Sequence, residues 1–316
     1  MSELQRDSWS QLKEQGGSWT LSLTLWLYRY AGRWLCKYIM YVVMLWYWLF
    51  AKTARRASLQ YLRNLHDAAA EQSPFRHRPG LWHSYLHFMQ FGHAILAKLA
   101  AWMGHIPEHS LHLEGHTHFQ QHYQRGAIIV VSHFGNIEML RAVKSEHVQK
   151  INVLVYQQHA TQFNQLLKRI NPRSSINLIS VDNMGIDTAM RLQDKLDQGE
   201  WLIVAADRIP LQSQRVEQVA FFNQVAAWPQ GAWMLAQLLK VPVLAVFCYQ
   251  QERQINVHIH KLSDEVNFSR SQRQAQMHAL TSEYVTLLEA YCKRSPYQWF
   301  NFYNFWQSLP QQKDSE

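Results

Sequence analysis

The residues best suited to chemistry are His133 and Glu138, which follow a run of small and β-branched residues that starts at Gly126. An imidazole can take the proton of an attacking hydroxyl, and a carboxylate can fix its tautomer and stabilise the imidazolium. Their five-residue separation corresponds to about 140° of rotation on an ideal helix, so two helical side chains at these positions would not share a face. The pair can meet only if His133 precedes the helix that carries Glu138.

The residues between them favour that geometry. Asn136 is a good helix N-cap, which places Glu138 in the first turn, where the helix dipole stabilises its charge. Gly135 allows the preceding loop to fold the imidazole back towards the helix start. The sequence therefore predicts a strand over 127–131, a loop that carries His133, and a helix that begins near Asn136.

Strands and helices alternate around this stretch. The candidate strands are 127–131, 151–156, 176–181, 201–206 and 243–249, with 254–260 as a possible edge strand. The candidate helices are 81–103, 136–147, 161–170, 185–198, 231–240 and 271–294. This alternation predicts an α/β fold with a largely parallel central sheet flanked by helices.

The N-terminal part contains an unbroken apolar run of 14 residues over 38–51. Because a bilayer-spanning helix needs about 20 apolar residues, we expect a membrane-anchoring helical segment that lies in or partly across the cytoplasmic leaflet. A spanning helix and a buried soluble helix are the alternatives. The expected division is a membrane-associating segment over 1–66 and the functional domain over 67–316.

The charge balance indicates an anionic partner, since the net charge is +8 and the pI about 9.4. The densest basic groups lie at 29–37 and 52–56, on either side of the apolar run. That placement favours a phospholipid surface over nucleic acid. The 13 tryptophans fit either a lipid interface or a Trp-rich core.

Metal and disulfide chemistry are disfavoured by the spacing of the possible ligands. The three cysteines include no Cys-x-x-Cys pair, which argues against a disulfide framework and a cysteine zinc site. His83 and His87 are four residues apart, but no acid lies among them. Because a zinc site needs a third ligand, we expect structural roles for these histidines, no metal, and not a zinc hydrolase.

The segment Ser132-His133-Phe134-Gly135-Asn136-Ile137-Glu138 resembles the His-x4-Asp/Glu block of glycerolipid-type acyltransferases. Its His-Phe-Gly-Asn-x-Glu form is similar to that of the bacterial late lipid A (lauroyl/myristoyl) acyltransferase family. Further matching blocks follow in the expected order, namely Ala206-Asp207-Arg208, Phe221-Phe222, Trp228 to Ala236 and Val241-Pro242-Val243. Together they cover the chain from about Trp19 to Trp306.

Two features depart from the main pattern of that family. Asn223 stands where a glycine commonly follows the paired Phe, and Gln230 lies between Pro229 and Gly231. The aromatic block 296–306 is more similar to the branch found with aryl polyene biosynthesis. These differences leave the acceptor open, including one other than lipid A, more than they affect the reaction type.

The resemblance implies transfer of a fatty acyl chain from an acyl carrier protein or coenzyme A thioester to a hydroxyl of a membrane lipid or glycolipid. It implies no metal or organic cofactor and a place at the cytoplasmic face of the bacterial inner membrane. The alternatives are a lysophospholipid or glycerol-phosphate acyltransferase, and a non-catalytic lipid-binding protein of the same fold. The presence of both His133 and Glu138 stands against the last.

By the same match, His133 and Glu138 are the catalytic pair, and Asp207 and Arg208 lie near the substrate. Arg208 can pair with an acceptor phosphate or carboxylate, and Asp207 can position that arginine or a hydroxyl. A structural ion pair at a strand end is the other interpretation. Arg173, directly after Pro172, is a further candidate for binding an anion.

Overall fold

The structure is a computed structural model that describes residues 32–102, 111–122, 125–142, 150–155, 176–181, 185–209, 215–252 and 254–307. The helices are α1 (Gly32–Phe50), α2 (Lys52–Ala69), α3 (Leu81–Trp102), α4 (His116–His122), α5 (Ile186–Asp197), α6 (Gly231–Leu239) and α7 (Arg273–Arg294). Short 3-10 helices lie at Ala70–Gln72, Ile137–Ala142 and Phe305–Gln307. The strands are β1 (Leu111–Glu114), β2 (Ala127–Val131), β3 (Ile151–Val155), β4 (Ile176–Ser180), β5 (Trp201–Ala205), β6 (Val216–Phe221), β7 (Gln224–Pro229), β8 (Val243–Gln251) and β9 (Gln254–Ser263).

Seven of these strands form one sheet in the order β1-β9-β8-β2-β5-β3-β4. Neighbours are parallel except β8 and β9, which are antiparallel. β2 lies at the centre and is buried along its whole length, as its run of small and β-branched residues requires. The predicted α/β class, with a largely parallel sheet flanked by helices, is confirmed. The possible edge strand 254–260 is instead an inner strand, because β1 pairs with its outer side.

The chain divides into two compact units, each built from separate stretches. One comprises 94–208 and 230–284 and contains the seven-stranded sheet. The other comprises residues up to 93, together with 209–229 and 285–316. Its elements include α1, α2 and the antiparallel β6–β7 pair. The expected division of the chain at residue 66 remains a prediction.

One face of the sheet carries an apolar core that reaches the segment after His133. Alternate residues of the central strands contribute to it, including Ile129, Ile203 and Val246, all almost fully buried. Met139 of the 3-10 helix 137–142 is part of this core, and Ala97 of α3 packs against it. The core therefore ties both α3 and the helix that carries Glu138 to the sheet.

The other unit is packed largely through aromatic side chains. Trp299 lies 4.9 Å from Tyr61 of α2 and 5.0 Å from Phe221 of β6, measured between ring centroids. Trp306 donates a hydrogen bond from Nε1 to the carbonyl of Phe221 at 3.2 Å. The C-terminal aromatic block thus packs against α2 and the β6–β7 hairpin.

The turn between β6 and β7 consists of Phe222 and Asn223, which both adopt positive φ, at 52° and 59°. Two-residue hairpin turns of type I′ require this left-handed conformation at both positions, and asparagine tolerates it better than most other residues with a side chain. Asn223 therefore meets the backbone requirement that a glycine would meet at the same place.

His87 joins three elements of this unit. Its side chain is fully buried, and its Nε2–H donates to the carbonyl of Trp299 at 2.9 Å. Nδ1 then accepts from the Ser58 hydroxyl of α2 at 3.0 Å. Burial lowers the pKa of His87 to about 3, so the imidazole is neutral. The structural role expected for His87 is the one observed.

Helix α1 has one packed side and one exposed apolar side. On the packed side, Met40 and Met44 lie against Gly92 of α3, where a Cβ atom would overlap both side chains. The exposed side carries large apolar residues at helical spacing, namely Leu35, Tyr38, Ile39, Val42, Val43, Leu45, Trp46, Leu49 and Phe50. No single helix in the described ranges is long and apolar enough to cross a membrane. The helical segments 35–50 and 52–72 reach the required length and hydropathy only when they are taken together, and they are bent by 91° relative to each other.

Candidate active site

His133 lies in a loop just beyond the carboxyl end of β2, and Gly135 fixes the course of that loop. Gly135 has a φ of +65° and forms a bridge with Cys248 of β8. A Cβ atom at this position would overlap the Cys248 carbonyl oxygen, so a larger residue does not fit. The next amide, that of Asn136, donates to the same carbonyl at 2.8 Å. The loop is therefore held against β8.

Asn136 starts the helix that carries Glu138. Its Oδ1 accepts from the Glu138 amide at 3.2 Å, which is the N-cap contact that the sequence predicts. The helix begins at Ile137, after His133, as expected, and is a 3-10 helix over its described part, 137–142. Asn136 also donates from Nδ2 to the carbonyl of Ala94 in α3 at 3.4 Å.

The structure pairs His133 with Asp207. The imidazole Nδ1 lies 2.8 Å from Asp207 Oδ1, and the His133 amide donates to Oδ2 at 2.7 Å. This contact follows from the sheet, because β2 and β5 are parallel and Val131 pairs with Ala205. The residues that follow the two strands therefore emerge side by side.

The electrostatics of this pair favour an ionised carboxylate. Asp207 is buried, which by itself would raise its pKa, but the His133 imidazole and the Arg208 guanidinium lower that pKa below its usual value. An ionised Asp207 accepts the Nδ1 proton of His133 and leaves Nε2 with a lone pair. The His133 side chain is 35% exposed, so the imidazole is partly open to solvent.

Glu138 occupies a different environment from the one that the spacing predicts. Its side chain is 11% exposed, and its Oε1 lies 3.8 Å from the Lys98 ammonium of α3. Within the described ranges it makes no hydrogen bond to His133, whose ring partner is Asp207. The carboxylate that contacts the imidazole thus comes from the loop after the neighbouring strand β5, 74 residues away, and not from the following helix.

Two buried polar atoms on either side of His133 in the sequence have no hydrogen-bond partner in the part of the chain that the structure describes. They are Ser132 Oγ and Glu138 Oε2. Buried polar atoms are almost always paired, because leaving one unpaired costs free energy. Because Ser84 Oγ of α3 is likewise without a partner within the described ranges, this feature does not by itself distinguish the segment around His133.

Of the two remaining predicted site residues, Arg208 and Arg173, the structure describes Arg208. Arg208 adjoins Asp207, is partly exposed, and lowers the pKa of the Asp207 carboxyl. Arg173 lies outside the described residues.

Lys98 was not predicted as a site residue, because a lone lysine within an apolar helix carries no recognisable sequence signal. Over the described ranges, no group of three or more His, Cys, Asp or Glu residues could hold a metal ion.

Comparison with known proteins gives one family. The family model described as bacterial lipid A biosynthesis acyltransferase matches residues 47–308, a span that includes His133, Glu138 and Asp207. No curated protein matches the chain.

Proposed function

Because the chain belongs to the bacterial lipid A biosynthesis acyltransferase family, and is thus an acyltransferase of lipid biosynthesis, we propose that it transfers a fatty acyl chain from a thioester to a hydroxyl of a membrane lipid or glycolipid. The observation that carries this proposal is the contact between His133 and the buried Asp207. It provides an oriented imidazole whose second nitrogen can act as a general base.

In the proposed reaction, His133 Nε2 takes the proton of the acceptor hydroxyl as the hydroxyl oxygen attacks the thioester carbonyl carbon. A carbon–oxygen bond forms, and the tetrahedral intermediate collapses with cleavage of the carbon–sulfur bond. The leaving thiolate takes the proton from the imidazolium, so a free thiol departs. Asp207 keeps the imidazole in the reactive tautomer and stabilises its charged form.

The remaining site residues receive supporting roles in this proposal. Glu138 is the second catalytic residue of the His-x4-Glu motif, fixed close to the His133 loop by the Asn136 cap. Arg208 binds an anionic group of the substrate, since a guanidinium pairs well with phosphate or carboxylate. Arg173 remains a substrate-binding prediction that rests on the sequence.

The donor in this proposal is an acyl carrier protein or an acyl-coenzyme A. Both are anionic, and the net charge of +8 complements either. The acceptor is lipid A or a related membrane species, with a lysophospholipid or glycerol phosphate as the alternative. The charge suits all of these ligands, so direct product analysis must choose among them.

We further propose that the exposed side of α1 holds the protein at the cytoplasmic face of the bacterial inner membrane. The support is the row of exposed apolar residues on α1, next to the exposed Lys52 and Arg56 at the start of α2. An apolar helix face flanked by basic residues suits an anionic lipid surface.

Lipid mass spectrometry tests the reaction. Cells with the wild-type protein should contain a lipid one acyl mass heavier than cells without it, and the purified protein should form that lipid from one of the two thioester donors. We expect His133→Ala to abolish this product, while the control His77→Ala, at an exposed histidine in the loop before α3, retains it. Full activity of His133→Ala would overturn the mechanism.

A further inference from the structure

Helix α3 contacts the segment that carries Glu138 at two points one helical turn apart. The Ala94 carbonyl accepts from Asn136 Nδ2 at 3.4 Å, and the Lys98 ammonium lies 3.8 Å from Glu138 Oε1. Residues four apart lie on the same face of a helix. One face of α3 therefore holds both the N-cap of the 3-10 helix and the carboxylate that follows it.

The burial of Glu138 makes the Lys98 contact important. A buried carboxylate costs free energy unless an opposite charge or hydrogen-bond donors compensate it. Glu138 Oε2 has no hydrogen-bond partner in the described ranges. Within the same ranges, the Glu138 carboxylate forms its ion pair with Lys98. Within the described ranges, removal of the ammonium would leave both Glu138 oxygens without an ion-pair or hydrogen-bond partner.

The Lys98 side chain contacts Glu138 and is also partly exposed to solvent. Its side chain is 45% exposed, whereas that of Glu138 is 11% exposed. The aliphatic stem can pack along α3 while the ammonium reaches the edge of the buried carboxylate. The contact thus joins a largely buried carboxylate to an ammonium that is partly exposed to solvent.

Building on the proposed function, we propose that Lys98 is a positioning residue for acyl transfer, which acts by holding the Glu138 side chain fixed next to the His133 loop. Lys98 itself transfers no proton and forms no bond in the reaction. Its effect on turnover passes through Glu138, so it requires the carboxylate.

A double-mutant cycle tests this dependence with the full-length protein and the donor and acceptor on which the wild type is active. We expect Lys98→Met to lower kcat by roughly 10- to 100-fold with little change in KM, since small displacements of catalytic groups have effects of this size. In a Glu138→Gln background the same substitution should lower kcat by less than about threefold, because the group on which Lys98 acts is gone. Lys98→Arg, which keeps the charge, should restore most of the activity.

The matched control is Lys261→Met. Lys261 also forms a half-exposed ion pair, with Asp264 at 2.9 Å, but lies on β9, and its loss should leave kcat unchanged. Thermal unfolding of each variant shows that it is folded, and Lys98→Gln replaces Lys98→Met if the latter is not.

Three results would overturn the positioning role: equal losses from Lys98→Met in both backgrounds, an increase in KM alone, or unchanged kinetics. An equal loss would show that Lys98 acts independently of Glu138, and a change in KM alone would make it a substrate-binding residue. Failure of the proposed function looks different, because then either no acyl transfer is seen with the wild type or His133→Ala remains active.

Discussion

At the scale of single residues, the site depends on how Asp207 uses its two oxygens. One oxygen holds the imidazole ring of His133 and the other holds its backbone amide. The ring orientation and the loop position are therefore set by the same carboxylate. Such preorganisation matters because a catalytic group that is already in place costs no reorganisation during the reaction.

We expect Asp207→Asn to lower kcat by on the order of 10³-fold while the fold is retained. An amide can occupy the same space, but it cannot stabilise the imidazolium and it allows the wrong tautomer. Initial rates of acyl transfer provide the measurement, with Asp264→Asn on the surface as the control. A rate within a few-fold of wild type would show that His133 does not need an anionic partner.

The residues of the site can be recognised in the sequence, but their arrangement cannot. His133, Glu138 and Asp207 were identified from their types and motifs, and the start of the helix after Asn136 was confirmed. The contact between His133 and Asp207 could not be predicted from spacing, because it arises from the pairing of β2 with β5. A local sequence pattern indicates the chemistry that a side chain can perform, whereas the pairing of the strands determines which other side chain it contacts.

At the scale of elements, the buried histidine of α3 connects α2 with the C-terminal aromatic segment. His87 accepts from Ser58 and donates to the Trp299 carbonyl, so both of its nitrogens are used in the neutral form. Protonation would remove the acceptor for Ser58 and place a charge in an apolar core. The neutral state of one imidazole is therefore a condition for packing these three elements together.

This requirement predicts a loss of stability in acid. The pKa of His87 is about 3 in the folded chain against 6.5 in the unfolded chain, so between these values the unfolded state binds a proton that the native state does not. Stability thus falls as the pH drops below 6.5, by about 1.4 kcal/mol per pH unit and about 2 kcal/mol by pH 5.

Chemical denaturation at pH 7 and pH 5 measures this loss. We expect His87→Gln to be less stable at pH 7 but to lose less stability on acidification, whereas His77→Ala keeps the wild-type difference. The same pH difference in His87→Gln and wild type would assign the effect to other groups.

Strands with a continuous apolar run were predicted, whereas a very short strand and a weakly patterned hairpin were not. The continuous apolar runs of β2, β5 and β8 made them recognisable. β1 has only four residues, too few for a periodic signal. The β6–β7 hairpin was missed because its turn is Phe-Asn, and not one of the glycine-containing pairs that indicate two-residue turns. The predicted helix 161–170 lies outside the described residues.

At the scale of the whole molecule, the chain combines a sheet unit that carries the candidate catalytic residues with a helical and aromatic unit that carries the apolar side of α1. The formal charge of +8 adds attraction to anionic surfaces. Neither the apolar row nor the charge takes part in the proposed proton transfer. Both suit a protein whose acceptor resides in a membrane.

We expect the double substitution Val42→Glu and Leu49→Glu to weaken binding to anionic phospholipid vesicles by at least about tenfold. Each replaced side chain is at least 49% exposed, and burial of one such apolar side chain in lipid contributes about 1.5–3 kcal/mol. Vesicle co-sedimentation of the full chain measures the effect. The control is Ile186→Glu together with Met190→Glu on α5, which are also exposed. If both pairs had equal effects, α1 would not be the membrane-binding face.

The unit that contains α1 is assembled from three stretches of chain, and this has a consequence for the order of events on the ribosome. Its first stretch ends at residue 93 and its last begins at residue 285. At a synthesis rate of about 5–20 residues per second, the interval between them lasts roughly 10 to 40 s. Throughout that time His87 lacks the Trp299 carbonyl that it will bind, and Tyr61 lacks the ring that it will pack against. Translation thus separates in time groups that are in contact in the folded protein, so this unit can be completed only after its last stretch has been synthesised.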